Sequence, residues 1–152
     1  MLTIGYGRLS TREQAEGQTR EQQEHRLREA GAIRVYFDIA SGSFDARTQL
    51  TAALKALEQG DASALVCTRL DRLTRSASFN SRLCDFFAEE SGPRLLCLDD
   101  SIDTGTVMGR AMFRISGVFA QAEVVVAFVA IANIAKTNSA RHVLQFAVDI
   151  SG

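Results

Sequence analysis

The sequence predicts an α/β domain built on a central, mostly parallel β-sheet. Short apolar segments of strand length alternate along the chain with segments whose apolar residues recur at helical spacing, and this alternation is typical of parallel sheets. With 152 residues, no internal repeat and no linker, the chain is long enough for one domain with a proper core. Hydrophobic residues make up 46% of the chain, which argues against disorder.

The first elements are a strand, Thr3–Gly7, and a polar helix that continues to about Ala30, where a glycine follows. Ser10 or Thr11 can cap this helix, and Thr11 with Gln14 fits the spacing of a capping box. We therefore expect a strand that passes directly into one long helix.

The remaining elements repeat the same alternation of strand and helix. In chain order they are a second strand at Ile33, Val35 and Phe37; a polar loop, Asp38–Arg47; a helix at Leu50, Leu54 and Leu57 that ends at Gly60; a third strand, Ala64–Cys67; a helix at Phe79, Leu83 and Phe86 or Phe87; a fourth strand, Leu95–Leu98; and a long helix from Thr104 with Met108, Ala111, Met112, Ile115, Val118, Phe119 and Ala122 on one face.

The charges are nearly balanced, with a formal net charge of −1, and this argues against a surface built throughout for nucleic acid. The cations are uneven in type, because Lys55 and Lys136 are the only lysines among 17 basic residues. Arginine offers a planar fork that grips oxyanions with two hydrogen bonds. Genomic base composition explains the same bias equally well, and both interpretations stay open.

Cysteines and histidines are too few and too scattered for a metal site or a disulfide framework. The three cysteines, Cys67, Cys84 and Cys97, form no CxxC pair and fit small buried residues of a reducing compartment. The two histidines, His25 and His142, do not supply a zinc site. We therefore expect no metal, no cofactor and a cytoplasmic location. The first apolar residues form a short strand without a basic leader, so we also expect no signal peptide.

Polar residues that can take part in catalysis or ligand binding follow each predicted strand. They are Arg8 and Ser10 after the first; Asp38 after the second; Arg69, Asp71, Arg72 and Arg75 after the third; and Asp99, Asp100 and Asp103 after the fourth. Ligands of open α/β sheets bind beyond the carboxyl ends of the strands, and a helix start adds a site for anions. The pattern predicts a phosphate pocket into which the hydroxyl of Ser10 points.

Each of these residues has an ordinary structural explanation when it is taken alone. A serine before a helix is usually only a cap, and Arg72 and Arg75, three apart, fit one face of a solvated turn. Arg47 lies in a loop, and an aspartate such as Asp38 commonly forms a turn at a strand end. The combination, rather than any one residue, carries the prediction.

Three segments in order, YGRLST, DIASGSFDAR and LDRLTRS, resemble the catalytic domain of serine recombinases, the resolvase/invertase family. The stretches GDASALVCTRLDRLTRS and DDSIDTGTVMGRAMFRISGVFAQAE extend the resemblance over about residues 1–123. The resemblance implies a resolvase-like three-layer domain with a long C-terminal helix. It also implies site-specific recombination of DNA by a homodimer that forms a tetramer on synapsis.

The resemblance assigns roles to individual residues. Ser10 is the implied nucleophile; Arg8, Arg47, Arg72 and Arg75 surround the scissile phosphate; Asp38 and Asp71 are the acidic residues; and Gln14, Gln23 and Glu123 contact DNA. The implied reaction forms a 5′-phosphoserine link, releases a 3′-hydroxyl and needs neither metal nor nucleotide. The group that helps Ser10 lose its proton stays open: a neighbouring arginine could depress its pKa, or Asp38 could position water or an arginine.

Residues 124–152 depart from the family pattern and are expected to form an atypical apolar tail. Val124 replaces the family's arginine, only Lys136 and Arg141 are basic, and no helix-turn-helix can be fitted. Sequence-specific DNA binding normally comes from those parts. Truncation, an altered reading frame or a separate DNA-binding partner could each explain the difference. The longest apolar run, 124–135, is too short to cross a bilayer, so no membrane is expected.

The tail also predicts self-association. The apolar pattern that starts at Met108 continues to Val129 on one face, and Val124, Phe128 and Ile131 are apolar on the other. A helix that is apolar nearly all round must be buried on more than one side, so a two-fold dimer is expected. The alternative is that residues after Asn133 fold back and complete a monomer. Two other functions stay open: a non-catalytic self-associating module with the recombinase fold, and a phosphoester-binding enzyme of another kind.

Overall fold

The computed structural model describes residues 2–40, 47–73 and 77–119, with the backbone alone for 77–80 and 117–119. Its elements are β1 (Thr3–Ser10), α1 (Thr11–Ala15), α2 (Arg20–Glu29), β2 (Arg34–Ala40), α3 (Thr48–Glu58), β3 (Ala64–Cys67), a 3-10 turn (Leu70–Arg72), α4 (Ala77–Ala88), β4 (Arg94–Cys97), β5 (Ile102–Asp103) and α5 (Val107–Phe119). The alternation of strands and helices confirms the predicted α/β class. In this part of the chain, no helix is long and apolar enough to cross a membrane.

The five strands form one sheet in the order β2-β1-β3-β4-β5. The first four strands are parallel and β5 runs antiparallel to β4, so the sheet is mostly parallel, as predicted. The central strand β1 pairs with β2 as far as Ser10, opposite Ala40, but with β3 only as far as Tyr6, opposite Cys67. The end of β1 therefore extends beyond β3, and this overhang carries Arg8 and Ser10.

Helices cover both faces of the sheet and give the domain three layers. On one face, α3, α4 and α5 bury the main core, which includes Tyr6, Leu50, Leu65, Phe87, Leu95 and Phe113. On the other face, α2 buries Leu27 against Val66 and Ala32. A methyl group on Gly7 would lie 2.5 Å from the Phe37 ring, so glycine at this position permits close packing beside the overhang.

The polar segment after β1 forms two helices, which corrects the expectation of one. Gly17, with a φ of +85°, lies in the break between α1 and α2. The capping box at the first start joins Ser10 to Glu13, rather than Thr11 to Gln14. Ser10 has the extended backbone that a cap needs, with φ −92° and ψ 160°, whereas Thr11 already belongs to the helix.

Other element boundaries also differ from those that the sequence predicted. β2 runs through Asp38 to Ala40, so this aspartate lies inside a strand and does not open the loop; residues 41–46 lie outside the described residues. Ile33 precedes β2 and is 62% exposed. The last helix begins at Val107 rather than Thr104, because β5, which the sequence did not indicate, first pairs with β4. The predictions for β3 and for α3 before Gly60 were confirmed.

Candidate active site

Ser10 lies at the junction of β1 and α1, and its hydroxyl is held by Glu13. Ser10 Oγ donates to Glu13 Oε2 at 2.9 Å and accepts from the Glu13 backbone N–H at 3.2 Å. The Ser10 backbone N–H donates to the same carboxylate oxygen at 2.8 Å. Sequence reasoning missed Glu13, although the S-x-x-E spacing of a capping box was visible in the chain.

The second carboxylate oxygen of Glu13 binds an arginine from a different element. Arg72, in the 3-10 turn after β3, has its Nη1 2.5 Å from Glu13 Oε1, and the two side chains are only 8% and 19% exposed. Burial raises the pKa of Glu13, but the hydrogen bonds from Ser10 and the pairing with Arg72 outweigh it and hold that pKa below its ordinary value. Glu13 is therefore ionised at neutral pH.

Two side chains fill the space where β1 extends beyond β3. Gln23 of α2 donates from Nε2 to the Arg8 carbonyl at 3.1 Å, and Arg72 Nη1 donates to the same oxygen at 3.4 Å. Gln23 is 7% exposed, so its amide serves the backbone of β1 in this structure. Arg8 itself is half-buried and shares a strand face with Ser10, two residues on.

Arg47 fixes the turn that carries Arg72. It is buried at the start of α3, and its Nη1 donates to the backbone carbonyls of Arg72 and Leu73 at 3.1 and 3.0 Å. Segments from the end of β1, the start of α3 and the turn after β3 thus meet around Ser10. Arg75 and Glu123, which the sequence also pointed to, lie outside the described residues.

Asp38 is joined to the fold by three hydrogen bonds. Its Oδ2 accepts from the Tyr6 hydroxyl at 3.1 Å and from the Leu50 N–H at 3.0 Å, while Oδ1 accepts from the Gln49 N–H at 3.0 Å. Burial, followed by the nearby charge of Asp38, raises the pKa of Tyr6 far above its usual value. The carboxylate links β1 to the start of α3 and so supports Arg47, which lies at that start.

Asp71 and Gln14 are more accessible than the residues around Ser10. The Asp71 side chain is half-exposed, pairs with Arg69 at 2.9 Å and lies 3.6 Å from Arg72 Nε. Gln14 is exposed on α1. A role of either residue in catalysis or DNA contact stays a prediction.

A polar cleft of about 500 Å³ opens beside Arg72, at the carboxyl end of the sheet. Its lining includes Thr19, Gln23, Arg26 and Arg69, and Arg26 is paired with Asp99 across it. Arg26, Arg69 and Arg72 all line this cleft, so it offers guanidinium donors to an anion. Among the described residues, no group of three or more His, Cys, Asp or Glu side chains could hold a metal ion.

The arrangement matches known proteins in both sequence and fold. The profile of the family described as "Resolvase, N terminal domain" matches residues 3–128. The chain is 40% identical over 122 residues to the probable DNA-invertase y4cG of Sinorhizobium fredii, covering 79% of this chain and 37% of that protein. It is 38% identical over 122 residues to the serine recombinase gin of Escherichia phage Mu, covering 80% of this chain and 60% of that protein.

A solved structure shares the fold. The N-terminal catalytic domain of TP901-1 integrase superposes with a TM-score of 0.62 at 21% identity, over 80% of this chain and 95% of that one. The chain spans less than two thirds of the length of the two relatives above, so it corresponds to a part of each of them.

Proposed function

This chain belongs to the resolvase family of serine recombinases, and on that premise we propose that it is the catalytic part of a site-specific DNA recombinase. Ser10 is the nucleophile in this proposal. Residues 1–123 form the catalytic domain, and residues 124–152, which lie outside the described residues, form an atypical tail. The substrate is duplex DNA.

One observation supports the proposal more than any other: a serine hydroxyl lies in a network with a buried arginine from a distant part of the chain. Ser10 and Arg72 are 62 positions apart and are bridged by a single carboxylate, with contacts of 2.9 and 2.5 Å. Arg47 anchors the backbone on which Arg72 lies. A cap alone requires none of this, because its partners lie within one turn of the helix.

The proposed reaction uses Ser10 Oγ to attack a DNA phosphorus atom. The Oγ–P bond forms and the P–O3′ bond breaks, which leaves a 5′-phosphoserine and a 3′-hydroxyl; the reverse step reseals the strands. Arginine donors stabilise the charge that develops on the phosphate oxygens in the transition state. Arg8 and Arg72 supply donors in this proposal, Arg75 joins them, and Arg47 positions the turn of Arg72.

The partners follow from the same proposal. A homodimer binds one DNA site and two dimers join as a tetramer for strand exchange, with the helix that starts at Val107 as the contact. Val107 and Met108 are 77% and 71% exposed at the start of this helix, which leaves apolar surface for a second copy.

The test is a covalent adduct with DNA. The full chain is incubated with a pool of nicked duplexes of randomised sequence, in which cleavage beside the nick releases a short strand and traps the phosphoserine. Denaturing gels and peptide mass spectrometry then locate the adduct. Ser10→Ala removes the nucleophile, and Ser63→Ala, a serine whose hydroxyl contacts the Leu2 carbonyl at the other end of the sheet, is the matched control.

We expect adduct on Ser10 in the wild type and in Ser63→Ala, and none in Ser10→Ala. Adduct that persists in Ser10→Ala shows that another residue is the nucleophile. No adduct with any duplex, at concentrations where the chain is dimeric, supports the non-catalytic self-associating module instead.

A further inference from the structure

We propose that Glu13 is the group that accepts the proton of Ser10. Its ion pair with Arg72 keeps the carboxylate from acting as the base until a phosphate displaces the carboxylate from that arginine. The inference rests on the proposed function, since it takes Ser10 as the nucleophile. It gives a role to a carboxylate that neither the family resemblance nor the sequence pattern brought forward.

The first step in the argument is the geometry at the hydroxyl. A general base must lie within about 2.6–3.2 Å of the atom whose proton it removes. Glu13 Oε2 meets this requirement at 2.9 Å from Ser10 Oγ, and the hydroxyl already points its proton at that oxygen. The Glu13 N–H, 3.2 Å from Oγ, donates in the opposite direction and stabilises negative charge on the attacking oxygen.

The second step separates this arrangement from an ordinary cap. A capping box needs one side-chain oxygen to accept from the cap residue. The other oxygen of Glu13 instead lies 2.5 Å from Arg72, which comes from the turn after β3 and is almost fully buried. The same carboxylate therefore touches both the nucleophile and the cation that the proposed reaction needs for the phosphate.

The third step is an exchange of anions on Arg72. A phosphate bound in line with Ser10 takes hydrogen bonds from the guanidinium that now faces Glu13, because both anions need the same donors. Once Glu13 loses that pairing it becomes a better base while its other oxygen still faces Ser10. Ser10 of β1 and Arg72 of the 3-10 turn are the groups that lower the pKa of Glu13, so removal of one of them raises it.

The proton and electron changes balance in this step. The Ser10 proton passes to Glu13 Oε2 while an Oγ electron pair forms the bond to phosphorus. The electron pair of the P–O3′ bond leaves with the 3′-oxygen, which takes one proton from solvent. Glu13 later releases its proton to solvent and pairs again with Arg72 after the phosphate has left.

A reagent that does not depend on a DNA site can test the assignment. Diisopropyl fluorophosphate forms an Oγ–P bond with an activated serine and expels fluoride, so its rate reports how readily Ser10 loses its proton. The full chain is labelled between pH 3 and pH 9, and mass spectrometry measures the adduct on the Ser10 peptide. Urea unfolding of each variant, measured alongside, reports whether the fold is retained.

Glu13→Gln is the decisive variant because glutamine at this position also forms a capping box and keeps the hydrogen-bond acceptor. Because the reagent is uncharged and leaves the Glu13–Arg72 pair in place, the variant is compared in Arg72→Gln, where we expect it to lower the labelling rate about 100-fold, the lower end of what a general base contributes, and to flatten the pH dependence. Arg72→Gln should shift the acidic limb of the wild-type profile to higher pH. The control is Glu16→Gln, an exposed carboxylate beside the same short helix that pairs with Arg12, and it should behave as wild type.

Three outcomes would overturn the inference. They are a Glu13→Gln change that does not slow labelling in Arg72→Gln, an acidic limb that Arg72→Gln does not move to higher pH, and no label on Ser10 in Arg72→Gln, where the carboxylate has lost its ion pair. A DNA adduct on Ser10 that forms equally fast in Glu13→Gln removes the role of Glu13 and leaves the proposed function standing. A DNA adduct on a residue other than Ser10 removes the proposed function itself.

Discussion

Replacing Asp38 with alanine should lower the free energy of unfolding by about 3–5 kcal/mol. In the described residues, two buried donors lose the carboxylate that accepts their hydrogen bonds, and a third donor loses a bond at the start of α3. The Tyr6 hydroxyl and the Leu50 N–H are both enclosed, since these residues are 0% and 1% exposed. Each buried donor without an acceptor costs about 1–3 kcal/mol. Gln49 is exposed, so water replaces most of what its N–H loses.

The assay is urea unfolding of the full chain, followed by circular dichroism at the helix band. Asp61→Ala is the matched control, because Asp61 is an exposed aspartate on the surface and its loss should change stability by about 0.5 kcal/mol or less. Tyr6→Phe removes one of the three donors together with its need for an acceptor, and it should cost about 1 kcal/mol.

A double-mutant cycle of Tyr6→Phe and Asp38→Ala should give a coupling between about 0.5 and 3 kcal/mol, as expected for residues in direct contact. A loss of less than about 1 kcal/mol in Asp38→Ala would refute the reasoning, since no buried donor could then have depended on that carboxylate. The catalytic role that the family resemblance implies for Asp38 stays a prediction, which this stability assay does not test.

Three further predictions use other parts of the described chain. Gly109→Ala should destabilise the protein by about 1–3 kcal/mol in the same assay, because its methyl group would lie 1.7 Å from the Asp103 carbonyl; an unchanged midpoint would contradict this. Hydrogen bonds from Arg94 lower the pKa of Asp103. Asp103→Asn should therefore destabilise the protein by about 1 kcal/mol or less, since the pair is partly exposed. This difference in stability should be present above about pH 4 and disappear as the pH falls through the lowered pKa. Ellman's reagent should label the partly exposed Cys84 first in the folded chain, and the other two cysteines, both buried, only on unfolding; equal rates at all three would contradict their burial.

The sequence predicted the elements whose apolar spacing is regular. β3 is a run of four buried residues, and α3 carries three leucines at helical spacing, so both matched closely. The polar segment after β1 has no apolar repeat to read, and the break at Gly17 went unseen. β5 was not predicted for a different reason. Two residues are too few to show any periodicity, and only pairing with β4 makes them a strand.

The sequence indicated which described segments lie together around Ser10 better than it indicated the contacts between them. The motifs around Ser10, Arg47 and Arg72 indicated that these residues would meet, and their segments do. The acceptors of their hydrogen bonds were not readable, because Arg47 binds backbone carbonyls, which every residue has. Glu13 was overlooked because a carboxylate at the start of a helix is ordinary, and its second contact comes from a distant segment.

Because β1 extends beyond β3, the length of β3 determines how much room the site has for its side chains. β3 has four residues against eight in β1, and the space it leaves receives the side chains that bind the Arg8 carbonyl. A two-residue insertion that lengthened β3 would extend strand pairing along this space and displace those side chains, without replacing any residue of the site. Insertions and deletions in this short strand should therefore be tolerated far less than their distance in sequence from Ser10 would suggest.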